Sequence, residues 1–146
     1  MVADRAEHVT LVLEPALVAG EWVVSDRYAA STVAYQGYGQ GLDPVALGEL
    51  ARWATDGLAA DLSILVDISV EAAAARLAAA GRDAADRLER LGQDFATRVR
   101  EGFLAQAAQD PDHWVVVDGS AEAAALTAHI VAVVRERLGD APERRG

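Results

Sequence analysis

Apolar residues recur at helical spacing near the start of the chain. Between residues 4 and 19 they form one stripe, made up of Val9, Val12, Leu13, Ala16 and Leu17. Because residues three and four apart lie on the same face of a helix, this stripe predicts an amphipathic helix over 4–19. Gly20 is a natural end for that helix, and Pro15 predicts a kink or an early break inside it.

Three apolar runs are too short for helices and are typical of buried strands. They span residues 21–25, 62–68 and 114–118, and the first is predicted to end at Asp26. Helical stretches separate the three runs, which favours a parallel sheet with crossover helices. Three strands are few for such a sheet, so the pattern is that of an α/β fold whose first units are missing.

Caps and glycines mark the helices between these runs. A short helix is expected over 30–36, followed by a flexible, glycine-rich loop over 37–41. Asp43 suits the N-cap of a helix over 44–56, because a proline follows it in the first turn, and Gly57 suits the end of that helix.

The second half of the chain continues the same alternation. Ser69 is the expected N-cap of an alanine-rich helix over 70–80, and a polar loop is expected over 81–88. A long helix over 89–109 follows. After the third apolar run, Ser120 and Glu122 are expected to begin the final helix.

Composition favours a cytoplasmic globular protein. Hydrophobic residues make up 52% of the chain, which is enough for one packed domain, expected over 1–138 with a flexible tail over 139–146. No apolar run approaches the roughly 18 residues of a membrane span, and the absence of cysteine fits the cytosol. These short apolar runs make a membrane an unexpected partner. With a net charge of −10, the chain would repel a phosphate backbone, so a nucleic acid is not an expected partner either.

The segment 22–27 carries the clearest local chemistry. A strand that ends in Asp26 would present a carboxylate at the sheet edge where nucleotide-binding folds place magnesium. The guanidinium of Arg27 could meet a phosphate with two parallel hydrogen bonds. An ordinary strand end with a solvated ion pair explains the same residues, so this segment alone leaves both interpretations open. The three histidines are scattered, so a metal site built from protein side chains is not expected.

The residues that follow favour the nucleotide-binding interpretation. Segment 26–42, which reads DRYAASTVAYQGYGQGL, resembles the signature segment of thymidylate kinases. Four further segments resemble that family in the same order, namely 3–8, 54–58, 61–67 and 86–103. The resemblance covers nearly the whole chain, and it is specific because five separate segments keep the family's order and spacing.

The resemblance implies a fold and a reaction. The fold would be a three-layer, P-loop kinase-like α/β structure, with a parallel sheet, flanking helices and its N-terminal strands missing. The reaction would be transfer of a phosphoryl group to thymidine monophosphate (dTMP), with ATP as co-substrate and Mg²⁺ as cofactor. Family members form homodimers through helices that include the match to residues 4–19, so a homodimer is expected.

The same resemblance implies roles at the phosphate and sugar of dTMP. Arg27 would grip the acceptor phosphate, and Asp26 would help to position Mg²⁺ and that phosphate. Tyr35 would lie under the deoxyribose, where its ring disfavours a ribose 2′-hydroxyl. The alternative interpretation places Tyr35 in the core.

The thymine base would be recognised by a second group of residues. Arg5 would reach a thymine carbonyl from the first helix, Thr32 and Ser31 would face the thymine edge, and Gln36 would support the pocket. A pyrimidine needs only one or two such edge hydrogen bonds. Arg5 could instead be a surface residue that is paired with Glu7 or solvated.

A loop in the second half matches the family's lid. Lids close over phosphates and bring an arginine to the charge that develops in transfer. Arg82 and Arg87 are the candidates, and Arg76 on the preceding helix is a further one. Two aspartates of the same loop could neutralise these arginines, which would leave a solvated, self-paired loop.

Three features depart from the family. Residues 1–146 contain no Gly-x-x-x-x-Gly-Lys-Ser/Thr loop for the phosphates of ATP, and no lysine at all. Gln40 stands where the family commonly has arginine, and Met1 stands near the position of an aromatic residue that stacks on thymine. The sequence is therefore expected to be a fragment, or a gene model that starts at an internal methionine. The alternative is a genuine short protein, such as a non-catalytic nucleotide-binding or dimerising relative, or one half of a split enzyme.

Overall fold

The computed structural model describes residues 2–80 and 92–140 of the chain. These residues contain two parallel strands, seven α-helices and two π-helical segments. In chain order they are α1 (Val2–His8), π-helical Val9–Leu13, α2 (Glu14–Val18), α3 (Ala29–Thr32), π-helical Val33–Gly39, α4 (Pro44–Ala54), β1 (Ser63–Asp67), α5 (Val70–Ala80), α6 (Gln93–Gln109), β2 (Trp114–Asp118) and α7 (Ala123–Leu138). The predicted loop over 81–88, the first residues of the predicted helix over 89–109 and most of the predicted tail lie outside the described residues.

The first helical stretch continues past Pro15, so of the two outcomes predicted there, a kink or an early break, the break does not occur. Proline has no N–H, so the α-helical bond to the carbonyl four residues earlier is lost at this position. The π-helical segment directly before α2 accommodates that loss by a change of helical register. Gly20 ends the stretch with a φ of 78°, and the N–H groups of Gly20 and Glu21 donate back to carbonyls of the last turn.

The sheet of the described residues consists of β1 and β2. The two strands are parallel and in register, with Ser63 opposite Trp114 and Asp67 opposite Asp118. Helix α6 contacts both strands, and α7 contacts β2. This register places the two aspartates side by side at the carboxyl end of the sheet.

The predicted strand over 21–25 is wrong, because the segment has no pairing partner in the described part of the chain. A strand is held by hydrogen bonds to a neighbouring strand, and β1 and β2 pair only with each other. The segment is also not buried, since Val23 is 37% exposed and Val24 is 94% exposed. Arg27 therefore follows an exposed segment rather than a buried strand.

The glycine-rich segment after α3 is helical, and the flexible loop predicted there is wrong for most of its length. Residues 33–39 continue α3 as a π-helix in which Gly37 and Gly39 are buried. A Cβ atom on Gly39 would lie 2.6 Å from the ring of Phe95. These glycines allow close packing between helices, and the chain turns only after them.

Several caps lie where the sequence places them. The side chain of Asp43 accepts a hydrogen bond from the N–H two residues later at 2.9 Å, at the start of α4. The hydroxyl of Ser69 accepts from the N–H three residues later at 3.1 Å, at the start of α5. Of the two residues expected to begin the final helix, Glu122 is the N-cap of α7, because its carboxylate accepts from two N–H groups of the first turn.

Small aliphatic side chains form most of the buried core, namely Val9, Leu13, Ala34, Ala51, Ala54, Val99, Ala107 and Val117. Helix α6 packs along residues 29–39, and a Cβ atom on its Gly102 would lie 2.7 Å from the ring of Tyr38. Helix α6 thus fixes the position of the segment that carries most of the predicted site residues. Within the two described ranges, no helix is long and apolar enough to cross a membrane.

Candidate functional site

One helical stretch, residues 29–39, carries four of the predicted site residues, and we call it the site helix. These residues are Ser31, Thr32, Tyr35 and Gln36. Thr32 is 2% exposed, and the other three are half-buried. The Oε1 atom of Gln36 is buried. The site helix therefore presents its polar side chains toward the protein rather than toward bulk water.

Arg5 contacts the site helix from α1. Its Nη1 atom donates to the hydroxyl of Thr32 at 2.7 Å, and its Cζ atom lies 5.8 Å from the centroid of the Tyr28 ring. Burial raises the pKa of Tyr28, whose hydroxyl donates to the carbonyl of Leu58 at 3.0 Å. The structure thus brings together two residues that the sequence assigns to the thymine pocket.

Arg27 contacts the same helix at Tyr35. Its Nη2 atom donates to the Tyr35 hydroxyl at 3.0 Å, and its Cζ atom lies 4.9 Å from the centroid of that ring. Arg27 has a φ of 71°, which is unfavourable for a residue with a Cβ atom. The hydroxyl of Ser25 donates to the Arg27 carbonyl at 3.0 Å and so stabilises this turn. Strained backbone of this kind is concentrated at functional sites.

Tyr35 is supported by two phenylalanines of α6, which the sequence analysis did not identify. The ring centroids of Phe95 and Phe103 each lie 6.2 Å from that of Tyr35, in edge-to-face arrangements. Such pairs contribute about 0.5–1.5 kcal/mol beyond the area that they bury. The spacing of eight residues between the phenylalanines belongs to one apolar helix face, and this is the signal that could have revealed them.

Arg98 holds the end of the site helix. Its Nε and Nη2 atoms donate to the carbonyl oxygen of Gly39 at 3.2 and 2.9 Å. That carbonyl belongs to the last residue of the helix, where α-helical and π-helical partners run out. Helix α6 therefore contacts the site helix both at the Tyr35 ring and at its C-terminal end.

A cavity of about 290 Å³ lies between the site helix, β1 and α6. Its walls are mostly apolar and include the rings of Tyr35, Phe95 and Phe103. Asp67 and Arg100 also line it and provide its charged groups. An apolar cavity with a few convergent polar groups is the usual form of a ligand site.

Asp67 and Arg100 form a two-pronged ion pair that the sequence analysis missed. The Nε and Nη2 atoms of Arg100 donate to the two carboxylate oxygens of Asp67, both at 2.7 Å. The hydrogen bonds from Arg100 lower the pKa of Asp67, and burial and, to a smaller extent, the nearby charge of Asp118 oppose this effect. Asp67 ends an apolar run, which is the position expected of Asp26. This position at the end of a strand is the sequence signal that could have revealed Asp67 as a site residue.

The remaining predicted residues do not join this group of contacts. Asp26 is exposed in the bend next to Arg27. Arg76 points to the turn after β2, where its Nη2 atom lies 3.4 Å from the carbonyl oxygen of Ser120. The predicted lid arginines, Arg82 and Arg87, lie outside the described residues.

The architecture and the site together define a class of protein. Parallel strands joined by helices, with charged side chains at their carboxyl ends, are typical of α/β proteins that bind nucleotides. A crystal structure of thymidylate kinase from Ehrlichia chaffeensis is similar, with a TM-score of 0.68, 26% identity and coverage of 91% of this chain and 59% of that one. The fold is therefore a P-loop kinase-like α/β fold.

The family follows from two further comparisons. The family model described as thymidylate kinase matches residues 1–130. Thymidylate kinase from Desulforudis audaxviator is 44% identical over 140 residues, which cover 96% of this chain and 62% of that protein. Thymidylate kinase from Nitratidesulfovibrio vulgaris is 46% identical over 144 residues, which cover 95% of this chain and 64% of that protein. The chain belongs to the thymidylate kinase family and spans less than two thirds of the length of these relatives.

Proposed function

We propose that residues 1–146 form the acceptor-binding part of a thymidylate kinase, which transfers a phosphoryl group from ATP to dTMP to give dTDP. The observation that carries the proposal is the pairing of two arginines with two hydroxyls of the site helix. Arg5 donates to Thr32 at 2.7 Å, and Arg27 donates to Tyr35 at 3.0 Å. A cation is thus available for each end of a small nucleotide. Membership of the thymidylate kinase family indicates that this nucleotide is dTMP.

At the phosphate end, Arg27 binds the acceptor phosphate. Its guanidinium is exposed, and it can form two parallel hydrogen bonds to phosphate oxygens. Asp26 acts with Mg²⁺, which would neutralise the charge on the transferring phosphoryl group. Mg²⁺ in such sites usually keeps several waters and takes one or two carboxylates together with substrate phosphates. The exposed carboxylate of Asp26 fits this indirect role.

At the base end, Arg5 and Thr32 recognise the thymine edge, with Ser31 and Gln36 beside them on the site helix. The guanidinium of Arg5 and the hydroxyl of Thr32 are already oriented by the hydrogen bond between them. Little side-chain entropy is therefore lost when the base binds. Tyr35 forms the wall for the deoxyribose. Its ring position is fixed by two edge-to-face contacts, which suits a group that excludes a 2′-hydroxyl by shape.

The donor side of the reaction lies largely beyond these residues. Arg82 and Arg87 would approach ATP from the lid. The sequence contains no lysine and no phosphate-binding loop motif, so residues 1–146 alone are expected to show no kinase activity. We further propose that the complete enzyme is a cytoplasmic homodimer that uses α1 and α2 in its interface.

The experiment that tests this function supplies the missing donor side. The part of the Desulforudis relative that precedes its match to this chain would be joined to residues 1–146. Release of ADP would then be measured with ATP, Mg²⁺ and dTMP, with an Arg27→Met fusion as the matched control. We expect turnover on dTMP that depends on Arg27. A folded fusion that transfers no phosphate, or that prefers uridine or adenosine monophosphate, would overturn the proposal.

A non-catalytic nucleotide-binding module is the second candidate function. The two arginine–hydroxyl pairs favour it, because they require only an acceptor nucleotide and no ATP. The same fusion separates the two candidates. A fusion that binds dTMP without transferring phosphate would support the module, and turnover would support the kinase.

A further inference from the structure

We propose that the Tyr35 hydroxyl is a positioning group, which holds the guanidinium of Arg27 in the orientation that an acceptor phosphate requires. This inference rests on the proposed function, because it concerns how the phosphate end of the site is prepared. It assigns to the hydroxyl a task that differs from that of the Tyr35 ring, which forms the sugar wall.

The contact between the two side chains has two parts. The Nη2 atom of Arg27 lies 3.0 Å from the Tyr35 hydroxyl oxygen, and the Cζ atom lies 4.9 Å from the ring centroid. The hydrogen bond fixes the direction of the guanidinium, and the cation–π contact fixes its height above the ring. Together they restrain a long side chain that would otherwise lose considerable rotamer entropy on binding.

The hydroxyl contact leaves most of the Arg27 donors available. A guanidinium has five N–H donors, and the bond to Tyr35 takes one of them. A two-pronged bond to a phosphate needs two parallel donors, so four remaining donors are sufficient. Tyr35 can therefore orient Arg27 without competing with the ligand.

Tyr35 is itself a fixed reference point. Its ring packs edge-to-face against Phe95 and Phe103 of α6, and Arg98 of the same helix bonds the last carbonyl of the site helix. On the other side, the Ser25 hydroxyl stabilises the left-handed backbone of Arg27. Both ends of the contact are thus held before any ligand arrives, which is the condition for a positioning role.

The first experiment uses the 146-residue chain without ligand. Tyr35→Phe removes the hydroxyl and keeps the ring, and Tyr38→Phe makes the same change elsewhere on the site helix. Nitrogen-15 NMR of the arginine side chains would report how fast the Arg27 guanidinium rotates. We expect slow rotation in the wild type and in Tyr38→Phe, and faster rotation in Tyr35→Phe. Equal rotation in all three proteins would overturn the proposal.

The second experiment measures binding of dTMP and of thymidine by calorimetry in the same three proteins. Tyr35→Phe is expected to weaken dTMP binding by about three- to tenfold, the usual effect of one lost hydrogen bond. Thymidine binding is expected to stay within about twofold, because thymidine has no phosphate for Arg27 to hold. An equal loss for both ligands would mean that the hydroxyl contacts the sugar, and would overturn the proposal.

The two experiments separate failure of this inference from failure of the proposed function. If the wild-type chain binds dTMP no better than thymidine, the phosphate site of the proposed function is wrong. The NMR comparison still decides whether Tyr35 holds Arg27 in that case. If the wild type prefers dTMP and Tyr35→Phe keeps the whole preference, the proposed function stands and the positioning role is wrong.

Discussion

Arg27 combines an unfavourable backbone with favourable side-chain contacts. A left-handed conformation outside glycine costs on the order of 1–3 kcal/mol. An exposed cation–π contact gives back about 0.5–1 kcal/mol, and a hydrogen bond gives a similar amount. Because these contributions nearly cancel, the conformation adds little to stability, and its value lies in the direction that it gives to the guanidinium.

Replacement of Arg27 by lysine tests its proposed contact with phosphate. Lysine keeps the charge and loses the planar fork, so in the fusion enzyme we expect Arg27→Lys to lower turnover on dTMP by at least about tenfold, or about 1.4 kcal/mol. The apparent affinity for ATP should change much less. The melting temperature should fall by no more than a few degrees, because lysine can still place a cation over the Tyr35 ring. Near-normal turnover would show that Arg27 is only a surface charge.

The ion pair between Asp67 and Arg100 predicts a pH dependence. Since Arg100 lowers the pKa of Asp67 in the folded state, the pair stabilises the fold fully above the ordinary aspartate pKa. This contribution is lost as the pH falls through the lowered pKa. Asp67→Asn should lower the free energy of unfolding at pH 7 by about 1 kcal/mol, a value discounted for the partly exposed pair. In the same variant, the free energy of unfolding should fall less steeply than in the wild type as the pH drops below about 4.

Urea denaturation between pH 2 and pH 7 would measure both effects of Asp67→Asn. Asp61→Asn is a suitable control, because Asp61 is exposed in the bend before β1. An acid profile of Asp67→Asn that matches the wild type would contradict the account.

At the scale of elements, local signals were predictable from the sequence and pairing was not. The N-caps at Asp43 and Ser69 depend on side chains within three residues, and both predictions are confirmed. The strand over 21–25 depends on a neighbour that the local pattern cannot supply, and that prediction is wrong. The glycines of 37–41 predict a loop because glycine usually breaks helices, whereas in the structure Gly39 is needed for close contact with Phe95.

Two helical glycines should respond to alanine with opposite signs. In α6, a Cβ atom on Gly102 would lie 2.7 Å from the ring of Tyr38, whereas in α4 a Cβ atom on Gly48 would meet nothing within 4 Å. Gly102→Ala should therefore lower the free energy of unfolding by about 1–3 kcal/mol through overpacking. Gly48→Ala should raise it by about 0.5–1 kcal/mol through helix propensity. Urea denaturation followed by circular dichroism would measure both, and changes of the same sign would contradict this packing.

At the scale of the whole molecule, the alternation of apolar runs and helices predicts the α/β class, and the similarity to a solved thymidylate kinase confirms it. The roles of the site residues remain predictions. The expected apolar stripe of the first helix divides into two parts, since Val9 and Leu13 are buried while Val12 and Leu17 are 51% and 41% exposed. The sequence pattern identifies the stripe, and only the packing around it determines which part becomes core.

Exposed apolar side chains predict self-association of the chain. The most exposed are Leu11, Val18, Val24, Val45 and Trp53, each at least 65% accessible. Light scattering at micromolar concentration should therefore detect species larger than a monomer. If the helical stretch 4–19 forms the interface, Leu11→Glu, in the π-helical segment between α1 and α2, should reduce the measured mass more than Val131→Glu, its control on α7. A clean monomer in the wild type would contradict the prediction.

The most direct test of the central claim is calorimetric titration of the 146-residue chain with dTMP and with uridine monophosphate. Uridine monophosphate lacks the thymine methyl group and adds a 2′-hydroxyl, which the site is proposed to exclude. The account predicts that dTMP binds at least about tenfold more tightly than uridine monophosphate. Equal affinities for the two nucleotides, or no heat of binding with either, would contradict an acceptor site for dTMP in this chain.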